Sequence, residues 1–180
     1  MPDINLGSLR PLCKEDLAMV LRWRNSDRIR NSMLSNHIIS WEEHQAWFKR
    51  LKENDVYLIF EFAQEPVGLV YFTDMEPSER ICWWGFYIGK DGMPRGTGLL
   101  MGYMGLSHIF DTLQILLLRS KVLASNQVSQ AYHERLGFIR ENTISDIVRN
   151  GERHEVLNYS YQHKNWLGYR SILKNIIKNI

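Results

Sequence analysis

Apolar positions change period several times along the chain, and each change marks an element. Residues 6–12 read as a short strand. Over residues 14–23, Leu17, Val20 and Leu21 recur at helical spacing. Residues 25–36 are polar and irregular, a loop or short helix. Ser40, Trp41, Glu42 and Glu43 form a capping box: the serine can cap a helix, and Glu43, three residues on, can reach back. The spacing predicts a helix to about Leu51, with Trp41, His44, Trp47, Phe48 and Leu51 on related faces. Runs at 57–62 and 67–72 predict a hairpin around Gln64, Glu65 and Pro66. A strand over 81–89, a helix over 99–113, a strand over 115–124 and a helix over 128–136 follow, the last stopped by Gly137. Strands at 138–144 and 155–161 are separated by Asn150-Gly151, a tight-turn pair, and an amphipathic helix fills 166–180.

This order predicts a single mixed α/β (α+β) domain over residues 1–180, with a largely antiparallel sheet flanked by helices. It is not the alternating pattern of a dinucleotide-binding fold. A chain of 180 residues is long enough for a real core. A net charge of +2 gives no bulk attraction to nucleic acid. No apolar run nears 20 residues and no secretory pattern opens the chain, so no membrane partner is expected. Cys13 and Cys82 are far apart, without metal-ligand spacing. Two reduced thiols, a cytoplasmic location and no metal are therefore expected. Six tryptophans and eight tyrosines are plentiful; most are expected in the core, and some can line a pocket for flat or sugar-like groups.

Arg95, Gly96, Thr97 and Gly98 stand between the strand at 81–89 and the helix at 99–113. A strand, a basic glycine-rich turn and a helix start together make an anion cradle, because successive amides and the helix dipole face one concavity. The P-loop needs Gly-Lys-Ser/Thr, which is absent, and GxGxxG would need glycine at Met101.

With a second segment, Asn126 followed by Leu136, Gly137 and Phe138, this cradle resembles the GCN5-related N-acetyltransferase family. The two motifs cover about residues 81–138. The resemblance implies a sheet of about seven strands splayed at a central parallel pair, and acetyl-coenzyme A as co-substrate. Phe86, Tyr87 and Ile88 would pair with the pantetheine arm. The amides of Arg95, Gly96, Thr97, Gly98, Leu99 and Leu100 would hold the pyrophosphate, and Asn126 would bond the pantetheine or cap its helix. Leu100 departs from the Gly or Ala common there, which implies a tighter packing contact.

Acetyl transfer to an amine needs a neutral amine, a stabilised oxyanion and a proton for the leaving thiolate. The family usually supplies that proton from a tyrosine seven residues after the asparagine; here that position is His133, with Tyr132 one step off. His133 is therefore the expected acid. His44, or a water held at a strand edge, is the expected base, since Lys121 sits where relatives often have a carboxylate.

The N-terminal half, with Trp23-Arg24-Asn25, Met33 and the segment 40–48, is similar to acetyltransferases acting on the 4-amino group of UDP-4-amino-4,6-dideoxy-N-acetyl-β-L-altrosamine in the pseudaminic acid pathway. A related pattern occurs in ribosomal-protein N-terminal acetyltransferases, the alternative; a catalytically silent coenzyme A-binding module is the third reading. For a nucleotide-sugar substrate, Arg24 suits the diphosphate. Met33, Trp47 and Tyr87 offer apolar surface, and His44 bonds phosphate or amine. Ile172, Ile176 and Ile180 stand at helical spacing on the last helix, where core packing is the expected role and a homodimer contact the alternative.

Overall fold

Backbone pairing of the alternating segments builds one seven-stranded sheet in the computed structural model, which describes residues 4–179. In chain order the elements are β1 (Gly7–Pro11), α1 (Leu17–Asn25), α2 (Asp27–Arg30), α3 (Trp41–Lys49), β2 (Val56–Phe62), β3 (Glu65–Glu76) and β4 (Ile81–Ile88). There follow α4 (Thr97–Ser107), β5 (Leu117–Leu123), α5 (Gln127–Leu136), β6 (Ile139–Arg149), β7 (Glu152–Gln162) and α6 (His163–Lys178). The spatial order is β1-β2-β3-β4-β5-β7-β6, antiparallel throughout except between β4 and β5.

The parallel pair is short. Ile81 pairs with Leu117, Cys82 with Leu118 and Trp83 with Arg119. Both strands then continue unpaired with each other, β4 to Ile88 and β5 to Leu123. From Trp84 onward the β5-facing edge of β4 therefore has backbone groups free of the ladder.

The two faces of the sheet hold separate cores, as side-chain alternation along strands requires. On one face Phe60, Val70, Phe72, Trp84 and Leu118 pack against Leu100, Met101 and Leu106 of α4, Leu136 of α5, and Trp166 and Leu173 of α6. On the other face Ile59, Leu69 and Tyr87 meet Val20, Trp23 and Ile29 of α1 and α2. A methyl group on Gly89 would overlap the Trp23 indole, so this glycine lets α1 lie against the end of β4.

Several boundaries differ from the sequence pattern. The β2–β3 turn is Ala63-Gln64, both left-handed at φ 52° and 67°, so Glu65 and Pro66 belong to β3. Two such residues match the twist of the flanking strands, which the pattern around proline concealed. Strands β6 and β7 run eleven residues each up to Asn150-Gly151, because polar outward positions hid their length. Helix α4 starts two residues early and ends in a π-helical segment, His108–Thr112. In α6, Ile176 packs on the core and Ile172 is exposed; Ile180 lies outside the described residues.

Candidate active site

The cradle sits at the start of α4, beyond the open edge of β4. Gly96 is the N-cap at φ 92°, a conformation that costs an L side chain about 1–2 kcal/mol. Thr97 N–H donates to Pro94 O and Leu100 N–H to Gly96 O. A helix start leaves its first amides without intrahelical acceptors, so those of Gly98 and Leu99 are the ones it offers a ligand. The amide of Leu100, expected among the anion-holding amides, is bonded to Gly96 O, and its side chain is fully buried. Leu99 is also a core residue, and Arg95 is exposed. Tyr132 packs at the small Gly98 and donates from its hydroxyl to Gly98 O at 2.7 Å. The Asn126 side chain caps α5, accepting from Ser129 N–H at 3.0 Å. At the end of β4, Arg28 donates to Ile88 O and Gly89 O and pairs with Asp91.

A cavity of about 900 Å³ occupies the splay. Phe86, Tyr87, Ile88, Gly98, Asn126, Tyr132 and His133 all line it. Ring centroids of Phe86 and Tyr132 lie 4.6 Å apart, closing its floor.

His133 is 1% exposed in this floor. Its Nε2 lies 3.2 Å from Trp84 Nε1 and 2.8 Å from Ser120 Oγ, and its Nδ1 lies 2.7 Å from Ser129 O. An indole nitrogen only donates and a carbonyl only accepts, so Nδ1 carries the proton and Nε2 is bare. Burial lowers the pKa to about 4, so the ring is neutral at pH 7. Its single proton is held by Ser129 O. The acid role expected of His133 thus finds no proton facing the cleft in this arrangement. The competing candidate, Tyr132, has its pKa raised by burial and its hydroxyl proton committed to Gly98 O.

On the opposite face of β4 lies a second cavity of about 490 Å³. It brings together Arg24 from α1, Met33 from the loop after α2, His44 and Trp47 from α3, and Tyr87 from β4. Arg24, Met33, Tyr71 and Tyr87 also line the larger cavity, so the two meet at these side chains. Tyr57 and Tyr71, which the sequence did not single out, stack at 5.3 Å, and Trp47 meets Tyr57 edge-on at 5.1 Å. Their signal is cross-strand: Tyr57 faces Tyr71 and Tyr71 faces Gly85, a register the sequence does not display. Gly85 has no side chain where the Tyr71 ring lies.

Two polar atoms in this aromatic cavity lack partners. Arg24 Nη2 donates to Ser35 O at 2.6 Å, whereas its buried Nη1 has no acceptor. Buried His44 bonds the Leu17 backbone through one ring nitrogen, and its Nε2 has no partner. Burial lowers the pKa of His44, so a neutral ring presents a lone pair. Unpaired buried polar groups cost about 1–3 kcal/mol each and point to a ligand.

The model of the acetyltransferase (GNAT) domain matches residues 8–139. The chain belongs to the GNAT family. This GNAT chain is an acetyl-coenzyme A-dependent N-acetyltransferase. It is 22% identical over 138 residues to the acetyltransferase PseH of Campylobacter jejuni strain 81-176, covering 75% of this chain and 84% of that one. To PseH of C. jejuni strain NCTC 11168 it is 24% identical over 148 residues, covering 79% and 87%. In fold it is similar to spermidine N-acetyltransferase from Vibrio cholerae in complex with CoA and spermine. That superposition has a TM-score of 0.82 at 20% identity, over 91% of this chain and 99% of the other. A dodecameric form of the Vibrio enzyme gives 0.74 at 19% identity, over 91% and 97%. No described helix is long and apolar enough to cross a membrane. Among the described residues no three His, Cys, Asp or Glu side chains are grouped to hold a metal.

Proposed function

We propose that this GNAT enzyme acetylates the amine of an anionic small molecule, a UDP-linked 4-amino sugar of the pseudaminic acid pathway. The observation that carries this reading is Arg24 Nη1, buried in an aromatic cavity with no acceptor. The guanidinium groups of Arg24 and Arg50 line that cavity against one carboxylate, Glu43, which is engaged by Ser40 N–H. A polyamine acceptor, with several positive charges, would meet repulsion there; a phosphorylated acceptor would meet a donor. The likeness to PseH, over 75% and 79% of the chain, supports the same substrate.

In the proposed reaction acetyl-coenzyme A lies in the splay, with its pyrophosphate at the amides of Gly98 and Leu99. The free backbone edge of β4 from Trp84 to Ile88 pairs with the pantetheine and stabilises the oxyanion. His44 Nε2 takes the proton from the acceptor ammonium, a role its neutral state permits. The amine attacks the thioester carbonyl, and the thiolate leaves with a proton from solvent, its pKa being about 8.5 by analogy with cysteine. His133 holds the cleft floor.

The deciding assay measures free thiol with acetyl-coenzyme A and, in parallel, the UDP-4-amino sugar, spermidine and an N-terminal ribosomal peptide. Turnover of the sugar alone is expected. Turnover of spermidine or of the peptide without the sugar would overturn the assignment.

A further inference from the structure

Three guanidinium groups converge on one loop, residues 31–36. Arg149 Nη2 donates to Asn31 O at 3.4 Å, Arg24 Nη2 to Ser35 O at 2.6 Å and Arg30 Nη1 to Asn36 O at 3.0 Å. They come from α1, α2 and the far end of β6, so the end of the β6–β7 hairpin reaches the loop that follows α2, beside the Met33 and Ser35 that neighbour Arg24. Each keeps one buried nitrogen without an acceptor: Nη1 of Arg24, and Nε of Arg30 and of Arg149. The like charges acting on Arg24 are those of Arg30 and Arg149. Among the described residues the only carboxylate on the trio is Asp27, bound to Arg30 and itself well exposed. The loop holds no acidic residue.

Carbonyl contacts alone do not account for this arrangement. Gathering three permanent cations is unfavourable unless an anion joins them, and each spare N–H adds a desolvation cost. A group with several oxygens and at least two negative charges relieves both, and forked guanidinium donors suit it. We propose that Arg24, Arg30 and Arg149 form one anion site that takes the diphosphate of the acceptor, with Arg149 delivered by the β6–β7 hairpin. This rests on the reading of the acceptor as a nucleotide sugar. It adds Arg30 and Arg149 as specificity-determining residues, distant in sequence from each other.

The test uses calorimetric titration of the whole protein with UDP, uridine, inorganic diphosphate and coenzyme A, for wild type, Arg30→Gln, Arg149→Gln and Arg149→Lys. Thermal melting serves as the folding control. The expected result is a UDP Kd raised about tenfold or more in each Gln variant, with partial recovery in Arg149→Lys. Uridine and coenzyme A binding should be unchanged. A lower melting temperature with an unchanged UDP Kd would overturn the site and leave the arginines as staples of the loop, with the nucleotide reading intact. If wild type binds inorganic diphosphate but not UDP, and the Gln variants lose it, the anion site stands and the nucleotide reading fails.

Discussion

Trp84 donates its indole N–H to His133 Nε2 at 3.2 Å, one residue beyond the last β4–β5 register pair. Ser120, the matching residue on β5, meets the same nitrogen at 2.8 Å. A single imidazole on α5 thus bridges the two strands where their ladder stops. The bridge ties a buried polar group to the splay between the strands.

This predicts a pH signature. The folded pKa of His133 is about 4, against about 6.5 unfolded. The unfolded chain therefore binds more protons between these values. The stabilisation is fully present above pH 6.5 and is lost as pH falls towards 4, by on the order of 3 kcal/mol. Buried His44, also lowered, adds in the same direction. Asp16, held down to about 2 first by its bond to Arg10, gives its loss at lower pH. Urea unfolding from pH 7.5 to 4.5 should show a shallower decline in His133→Gln than in wild type. Equal slopes would remove His133 as the source.

The same variant tests catalysis. A glutamine can accept from Trp84, so kcat should keep its pH profile between 6 and 9. Loss of a titration from that range would restore His133 as the proton donor.

Arg24→Gln should raise the acceptor KM by about tenfold to a hundredfold, the worth of a charge-assisted bond, and leave the coenzyme A Kd unchanged. An unaltered KM would place Arg24 outside substrate contact.

Two glycines of the cradle should separate backbone strain from ligand approach. Gly96→Ala forces a left-handed alanine and should cost about 1–2 kcal/mol of stability. A methyl on Gly98 meets only Tyr132, at 3.7 Å, so the fold should keep its melting temperature. If the pyrophosphate lies close over Gly98, Gly98→Ala should weaken coenzyme A binding all the same. Unchanged binding would argue for a more distant ligand.

Gly85→Ala puts a methyl group into the Tyr71 ring. The ring must turn into the acceptor cavity, so the acceptor KM should rise more than the coenzyme A Kd. Equal losses in both would indicate general damage to the sheet.

Much of the frame was legible because it is local. Periodicity located the helices and strands, Ser40 and Glu43 announced α3, and Gly96 at φ 92° is where a glycine-rich turn meets a helix start. The order of elements, with the cradle and the segment from Asn126 to Phe138, led to the family, whose domain model matches residues 8–139. What stayed hidden depends on register and on distance. The gathering of Tyr57, Tyr71 and Tyr87 follows from strand pairing, and a one-residue slip would turn each ring to the other face. The protonation of His133 follows from Trp84 and Ser129, an indole and a carbonyl that only packing brings to its two nitrogens. The convergence of Arg24, Arg30 and Arg149 needs the β6–β7 hairpin to cross to α2. Local propensity reaches a few residues along the chain, whereas an arginine more than a hundred positions away becomes a neighbour only when the sheet is assembled.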